Sequence, residues 1–116
     1  MNHAIKTKWL AALRSGDYRK SVHVLKRYFK NVPARYCCMG VLCDIIKEDH
    51  PHAQELIEQK VASSMFGNSK MSKYALLDQE TLSYTGVEMQ QQRRLTTMND
   101  KGASFLTIAK YIEKYV

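Results

Sequence analysis

The chain has 116 residues, of which 45% are hydrophobic and 25% are charged, proportions that are ordinary for one globular domain. The absence of any run of eighteen apolar residues excludes a transmembrane helix, and the first residues lack the apolar stretch of a signal peptide. Its three cysteines, two of them adjacent, do not resemble the disulfide framework of a small secreted protein. We therefore predict a single domain over residues 1–116 that works in a reducing cytoplasm, away from membranes.

Positive charge is concentrated in the first third of the chain. The net charge is +7 at pH 7. Residues 1–35 hold nine lysines and arginines against one acid, Asp17, whereas residues 36–58 hold one lysine against five acids. This asymmetry predicts a polyanionic or acidic partner. A basic surface that only aids solubility is the alternative.

The N-terminal third begins with the pattern of a short amphipathic helix. Asn2 is a suitable N-cap, Trp9 lies on the apolar face and is expected in the core, and Gly16 suits the C′ position after the helix. The following stretch, Tyr18–Phe29, is rich in β-branched and aromatic residues. It predicts a strand or hairpin arm, with a helix as the alternative. A turn is expected at Asn31-Val32-Pro33.

The stretch Tyr36–Ile46 is apolar on nearly every side and predicts a helix buried at the centre of the domain. Its stripe at i, i+3, i+4 and i+7 consists of Cys38, Val41, Leu42 and Ile45. Glycine costs about 1 kcal/mol relative to alanine inside a helix, so Gly40 predicts close approach of another backbone or of a ligand. Pro51 is expected to end this helix.

Shorter elements are predicted in the middle of the chain. Directly after Pro51, the apolar spacing indicates a short helix. Val61–Phe66 and Met71–Ala75 are predicted as two short strands around a turn at Gly67-Asn68-Ser69.

The C-terminal part is predicted to be mainly helical. A short helix is expected over Leu76–Tyr84 with Asp78 as its N-cap. The polar stretch Glu88–Arg94 is either an exposed loop or the start of a helix. A turn is expected over Asn99–Gly102, after which Ser104 caps the last helix.

The predicted elements favour an α+β fold. We expect one compact domain with about four helices around the buried Tyr36–Ile46 helix and a small sheet or hairpin of short strands. An all-α fold is the alternative. No internal repeat and no linker long enough to separate two domains is present in the sequence.

Basic residues interleaved with aromatic ones give the strongest indication of a binding surface. The candidate anion-binding residues are Arg19, Lys20, Lys26, Arg27, Arg35, Arg93 and Arg94. The candidate stacking or anchor residues are Tyr18, Tyr28, Phe29 and Tyr36. Charge for phosphate beside rings for stacking is what a single-stranded nucleic acid or a nucleotide requires. Alternatively, the same residues describe a solvated edge strand, or a basic patch with aromatic anchors that docks on an acidic protein.

The sequence predicts no metal site and no cofactor. A zinc site would have to draw on Cys37, Cys38, Cys43, His50 and His52. Cys38 and Cys43 lie about 140° apart on a helix, and no pair has the tight spacing of structural zinc ligands.

A catalytic cysteine is the enzymatic alternative. Cys37 or Cys38 at a helix N-terminus beside Arg35 would favour a thiolate, with His23 as a base and Asn99 or Asp100 as the group that orients it. Buried structural cysteines are the commoner case, so we predict a protein that is not an enzyme.

Three segments together resemble a family of small proteins of tailed bacteriophages and prophages. They are the tryptophan helix Trp9–Gly16, the Cys-Cys-x-Gly-x-x-Cys helix in Tyr36–Asp44, and the Asn-Asp-x-Gly-x-Ser-Phe segment in Leu95–Phe105. Their order matches the order in that family, and they cover about a third of the chain.

The resemblance implies a protein that acts in the cytoplasm of an infected bacterium and antagonises a host defence system, and it brings no enzymatic activity with it. Combined with the basic surface, it leads to the hypothesis of a non-enzymatic protein that binds nucleic acid, a signalling nucleotide or a nucleic-acid-loaded complex. The first alternative is an inhibitor that docks on an acidic surface of a host enzyme, and the second is a cysteine-dependent enzyme.

Overall fold

The computed structural model describes residues 1–62 and 69–116. These residues form one α+β domain with a radius of gyration of 13.2 Å, about the value for a compact domain of this length. Its helices are α1 (His3–Arg14), α2 (Cys38–Ile46), α3 (Pro51–Glu58), α4 (Gln79–Thr85), α5 (Met89–Asp100) and α6 (Phe105–Tyr115). Its strands are β1 (Arg19–Lys20), β2 (Lys26–Phe29), β3 (Val32–Tyr36), β4 (Lys60–Ala62) and β5 (Lys70–Ser72). The predicted fold class is confirmed and the all-α alternative is wrong, and the described residues hold five helices besides the central α2, where about four were expected.

Helix α2 is the buried centre of the domain, as predicted. Every residue from Cys38 to Cys43 is buried, and α2 contacts α1, α3 and α5. Trp9 of α1 is fully buried, and its Nε1 donates a hydrogen bond of 3.0 Å to the Cys38 carbonyl. The expected core position of Trp9 is therefore confirmed. None of the helices in the described residues is both long and apolar enough to cross a membrane.

The predicted ends of the central helix were wrong at both sides. Tyr36 is the last residue of β3, and Cys37 adopts an extended backbone as the N-cap, with its Sγ accepting a hydrogen bond from the Gly40 amide at 3.4 Å. At the other end α2 already stops at Ile46, well before Pro51, the residue that was expected to end it. Pro51 instead begins α3, a position where proline is favoured because its missing N–H would have no helical partner.

The five strands found in the described residues form one sheet in the order β1-β3-β2-β5-β4. β1 runs parallel to β3, and the other neighbours are antiparallel. The strand prediction for Tyr18–Phe29 is confirmed in two pieces, β1 and β2, and the helix alternative is wrong. Asn31, at φ 63°, makes the tight connection to β3, whereas Val32 and Pro33 already belong to that strand. Pro33 is tolerated because the β2–β3 register shifts there.

The second pair of strands, β4 and β5, is antiparallel as expected. Each begins one residue earlier than predicted, at Lys60 and Lys70, and β5 ends at Ser72. The rest of the first predicted strand and the Gly67-Asn68 part of its turn lie outside the described residues.

Helix α4 follows its predicted capping chemistry. Asp78 is the N-cap and accepts a hydrogen bond of 3.1 Å from the Thr81 amide. The helix therefore begins at Gln79, not at Leu76, because the capping residue itself must keep an extended backbone. Gly86 ends the helix in the left-handed region, at φ 80°.

Helix α5 settles the two alternatives for the glutamine-rich stretch. It begins at Met89 behind the capping residue Glu88, so the helix alternative for Glu88–Arg94 is correct. The helix continues through Asp100. The turn predicted over Asn99–Gly102 therefore comprises only Lys101 and Gly102. Ser104 caps α6 as expected, accepting a hydrogen bond from the Thr107 amide at 3.1 Å.

Candidate anion-binding site

Strand pairing divides the predicted basic and aromatic residues between the two faces of the sheet. Arg35 lies opposite Arg19 in β1 and opposite Arg27 in β2, and paired residues direct their side chains to the same face. The neighbouring row consists of Lys20, Tyr36 and Lys26. Tyr36 and Lys26 of this second row point to the other face because side chains alternate along a strand, whereas Lys20, at the end of the two-residue edge strand β1, also lines the pocket described next. The predicted residues therefore belong to two surfaces.

The arginine face of the sheet carries a pocket of about 370 Å³. The residues that line it are Lys20, Ser21, Val22, His23, Arg27, Phe29 and Arg35. We call this the sheet pocket. Three of its lining residues are permanent cations and one is aromatic, and all four had been predicted as site residues. Its volume is in the range of pockets that take small ligands.

Arg27 is the buried cation of the sheet pocket. Its relative exposure is only 6%, and its Nε donates a hydrogen bond of 3.3 Å to the Ser21 hydroxyl. One terminal nitrogen lies 4.0 Å from the Met71 sulfur. Burial lowers the pKa of Arg27, but an arginine keeps its charge at neutral pH. A positive charge is thus held in a fixed position at low dielectric, where it attracts an anion more strongly than in water.

Arg35 and Phe29 form the exposed part of the same pocket. The Arg35 guanidinium lies 5.7 Å from the centre of the Phe29 ring, which holds its plane against an aromatic face. Arg35 is exposed and so can reach a ligand. Arg19, also exposed, lies beside it on the edge strand β1 but does not line the pocket.

The end of α5 holds in place the segment Ser21–His23, which lines part of the sheet pocket. The buried Asn99 amide donates a hydrogen bond of 2.8 Å to the Ser21 carbonyl and accepts one of 3.2 Å from the Cys38 amide. Asp100 accepts from the His23 amide at 3.0 Å, and its other oxygen lies 3.3 Å from His23 Nδ1. His23 has φ 70°, a conformation uncommon for a residue other than glycine, and the two contacts to Asp100 keep it there.

On the opposite face, the predicted stacking tyrosines are engaged within the protein. The Tyr28 hydroxyl donates a hydrogen bond of 2.6 Å to the Ile57 carbonyl, and the Tyr18 hydroxyl donates to Asp44. Tyr36 packs edge-on against Tyr18. Burial is the main cause that raises the pKa values of Tyr28 and Tyr36 to about 12. These tyrosines connect the sheet to α2 and α3.

Two lysines cover the tyrosine face. The Lys26 ammonium lies 4.6 Å from the Tyr28 ring and 5.1 Å from the Tyr36 ring, and Lys60 lies 4.2 Å from the Tyr28 ring. Burial is the largest influence on Lys26 and lowers its pKa. Lys26 is thus placed away from the sheet pocket, on the face that the helices cover.

Arg93 and Arg94 are exposed on α5 and are not brought to the sheet pocket. Arg94 lies 5.9 Å from the Tyr111 ring and lines a separate depression of about 340 Å³ together with Lys101 and other residues. Of the seven basic residues predicted for the site, the structure therefore gathers Lys20, Arg27 and Arg35.

The cysteine constellation considered for catalysis is brought together only in part. Cys37, His23 and Asp100 line one small cavity of about 90 Å³. Burial raises the pKa of Cys37 to about 11 and that of Cys38 well above its ordinary value. The expectation that the helix N-terminus would favour a thiolate is wrong here, because loss of solvent outweighs the amide hydrogen bonds. All three cysteines are unbridged and buried.

Ser21 and Val22 were not predicted as pocket residues. Both lie between β1 and β2, in a segment whose path depends on the Asn99 bridge and on Asp100. In the sequence, only the pair Asn99-Asp100 indicated such contacts, since Asn and Asp side chains often form hydrogen bonds with main-chain groups. Their partners, however, lie 78 and 77 residues away, a distance that no local pattern could indicate.

A family model described as "Domain of unknown function (DUF8296)" matches residues 1–116, the full length of the sequence. No curated protein and no solved structure matches the chain.

Proposed function

The chain belongs to the DUF8296 family, and we propose that it is a non-enzymatic protein that binds an anionic ligand in the sheet pocket. The observation that carries the proposal is the convergence of Lys20, Arg27 and Arg35 on one cavity, with Arg27 as a whole only 6% exposed. Three cations that line one cavity attract an anion, so the arrangement favours a ligand that carries phosphate groups.

The rest of the sheet pocket favours a nucleotide or a segment of single-stranded nucleic acid among anions. The exposed Arg35 guanidinium, which lies over the Phe29 ring, presents a flat surface on which a base can stack. The Ser21 hydroxyl and the exposed His23 ring add groups able to form hydrogen bonds. The pocket is small enough for a single nucleotide unit.

The test is a set of binding titrations at low salt. Fluorescently labelled single-stranded DNA and RNA are compared with unlabelled mononucleotides as competitors. We expect Arg35→Gln to weaken binding at least about tenfold, since it removes one charge-assisted contact. Arg27→Gln should do the same, and Arg94→Gln should leave affinity within about twofold because Arg94 lies outside the pocket.

Arg35→Gln is the more informative variant because Arg35 is exposed and its removal should leave the fold intact. Circular dichroism of each variant separates loss of binding from loss of structure. No binding of DNA, RNA or nucleotides at low salt would overturn the proposal. Equal effects of Arg35→Gln and Arg94→Gln would also overturn it.

The biological setting is a further part of the proposal, and its support is the resemblance described above, not the pocket. We propose that the protein acts in the cytoplasm of an infected bacterium, where capture of a signalling nucleotide or a nucleic-acid-loaded complex antagonises a host defence. Production of the protein in defence-competent cells should raise the plating efficiency of a sensitive phage. The Arg35→Gln variant should not raise it. Equal protection by both proteins would show that the protection does not depend on the sheet pocket.

A second candidate function, a protein–protein inhibitor, is favoured by the tip of the β2–β3 hairpin. Val32 is 57% exposed and pairs with Phe29, and Lys30 beside it is exposed as well. An apolar anchor within a basic rim suits an acidic protein surface. Affinity capture from a bacterial lysate, with and without nuclease, distinguishes the two functions. A partner that persists after nuclease treatment and is lost in Val32→Asp supports the inhibitor, whereas loss of every partner after nuclease excludes it.

A further inference from the structure

A second polar cluster lies where the beginning of α3 meets the beginning of α4, on residues that the sheet pocket does not use. One ligand atom from each of His52, Asp78 and Glu80 lies within 4.8 Å of the other two. His52 Nε2 contacts an Asp78 oxygen directly and lies 3.6 Å from a Glu80 oxygen. On the other side of the ring, Glu55 has an oxygen 3.4 Å from His52 Nδ1 and so orients the imidazole. We propose that this cluster binds one divalent transition-metal ion of the Zn²⁺ class.

The donor set selects the class of ion. Zinc is bound by imidazole nitrogens and carboxylate oxygens, and a site with three protein ligands leaves a further position for water. Magnesium and calcium prefer oxygen donors alone. The imidazole of His52 therefore argues for a transition-metal ion.

The charges of the cluster also favour a cation. Three carboxylates surround a single imidazole, and across residues 1–62 and 69–116 their ion pairs go only to His52 and to no lysine or arginine. This concentration of negative charge occurs in a protein with a net charge of +7, where basic partners are plentiful. Like charges held together are destabilising unless a counter-charge lies among them.

A buried hydroxyl beside the cluster supplies an independent observation. Thr81 is fully buried, and its Oγ1 makes no well-aligned hydrogen bond among the described residues, although the hydroxyl lies close to the Asp78 carboxylate. It faces Asp78, whose carboxylate already accepts from the Thr81 amide. Carboxylates that ligate a metal are usually held by such second hydrogen bonds, and Thr81 is placed to donate one when Asp78 turns towards an ion.

The two helices that contribute the ligands are held together beside the cluster. The His50 ring, just before α3, stacks on the Tyr84 ring of α4 with centroids 4.2 Å apart. A site whose supporting elements are already in place loses little entropy when the ion binds. The sequence prediction of no metal site considered His50 and His52 with cysteines, whereas the partner Asp78 lies 26 residues after His52.

The experiment is calorimetric titration of the chelator-treated protein with zinc chloride in the presence of a non-thiol reductant. We expect one ion per chain and a rise in melting temperature on addition of zinc. His52→Gln and Glu80→Gln should each lower the affinity at least tenfold. His3→Gln and Glu58→Gln are matched controls on exposed helix positions outside the cluster, and both should bind zinc like the unaltered protein.

The Glu80 variant keeps the test valid if His52→Gln does not fold, because the Glu80 side chain is 66% exposed. Cobalt replaces zinc in a second measurement, and its spectrum should lack the thiolate charge-transfer band that cysteine ligands produce. The proposal is overturned if zinc does not bind, if Glu80→Gln binds as tightly as the unaltered protein, or if the thiolate band appears.

Discussion

Gly40 lies directly against the main-chain carbonyl of Leu25. A Cβ atom on Gly40 would be 1.7 Å from the Leu25 oxygen and 2.7 Å from its carbon. The Cys37 amide donates a hydrogen bond of 3.2 Å to this same carbonyl. The first turn of α2 and the entry to β2 are therefore in contact backbone to backbone, and this contact places the sheet against the central helix.

The first prediction concerns this contact. Gly40→Ala should lower the free energy of unfolding by about 3 to 5 kcal/mol, because the methyl group meets main chain that cannot move without breaking the Cys37 hydrogen bond. Unfolding in urea, followed by the fluorescence of the buried Trp9, measures the loss.

Gly102→Ala is the matched control for this substitution. A Cβ atom at Gly102 has open space, but its φ of 103° strains any other residue, so a smaller loss of about 1 to 2 kcal/mol is expected. If Gly40→Ala proves no worse than Gly102→Ala, α2 and Leu25 are not in the contact described.

The second prediction concerns the Asn99 bridge. Asn99→Ala should cost about 2 to 4 kcal/mol, since it leaves the Cys38 amide and the Ser21 carbonyl without their partners in the interior. It should also weaken ligand binding in the sheet pocket, because Ser21 belongs to the pocket wall. Thr97→Ala, an exposed change on the same helix, should alter neither quantity by more than a small amount.

Asn99→Asp gives a sharper form of the same test. The carboxylate can still accept from Cys38, but it cannot donate to Ser21 unless it carries a proton. Burial should raise the pKa of this introduced carboxyl group. The stability deficit of Asn99→Asp, relative to the unaltered protein, should therefore shrink as the pH falls from 7 towards about 5, and a deficit that is constant with pH would contradict the bridge.

Features that depend on local chemistry could be predicted from the sequence. The caps Asn2, Asp78 and Ser104 were assigned correctly, because a capping side chain bonds an amide three residues away. The apolar all-round pattern of the central helix likewise predicted its burial. Gly40 predicted a close backbone approach, but the sequence could not say that Leu25 is the partner.

The assembly of the sheet pocket could not be predicted. Its strands are two to five residues long, too short for alternation to show which basic residues share a face. Arg27 and Arg35 meet because β2 pairs with β3 in one register, and a shift of one residue would have paired arginine with the tyrosine row. Lys26 was grouped with these arginines by its position in the chain, and the same alternation places it on the other face.

The third prediction concerns stability at alkaline pH. Burial raises the pKa of the Cys37 thiol to about 11, whereas a cysteine in the unfolded chain titrates near about 8.5 to 9. Above that value the folded state retains a proton that the unfolded state has lost. The free energy of unfolding must therefore fall as the pH rises from about 9 towards 11, by about 1.5 to 2 kcal/mol at pH 10 and by about 3 kcal/mol once the titration is complete.

Cys37→Ser isolates this contribution. Serine does not titrate, and its hydroxyl can keep the N-cap contact with the Gly40 amide that the sulfur makes. Urea unfolding at pH 7 and pH 10 should show a smaller alkaline loss in the variant, by about 1.5 to 2 kcal/mol. Cys38 and Cys43 are buried too and will sustain part of the loss in both proteins. An identical alkaline loss with and without Cys37 would show that its thiol is accessible to solvent.

The fourth prediction concerns the salt dependence of ligand binding. If Lys20, Arg27 and Arg35 each neutralise one phosphate of a single-stranded ligand, the logarithm of the affinity should fall with the logarithm of salt concentration with a slope of about −2. Arg35→Gln should make that slope shallower by about 0.7, because one fewer counterion is released. Arg94→Gln should leave the slope unchanged, since Arg94 lies at a separate depression on α5.

This comparison separates a pocket from a diffuse basic surface. If the ligand bound to a diffuse basic surface, Arg35→Gln and Arg94→Gln would make the salt slope shallower by a similar amount. Every cation of a protein with a net charge of +7 would then contribute equally. For binding in a pocket, the salt slope becomes shallower only when a cation of the pocket itself is replaced. Mononucleotide competitors should rank the variants by affinity in the same order, with a shallower salt slope. An affinity that does not change with salt would rule out phosphate contacts by these three cations.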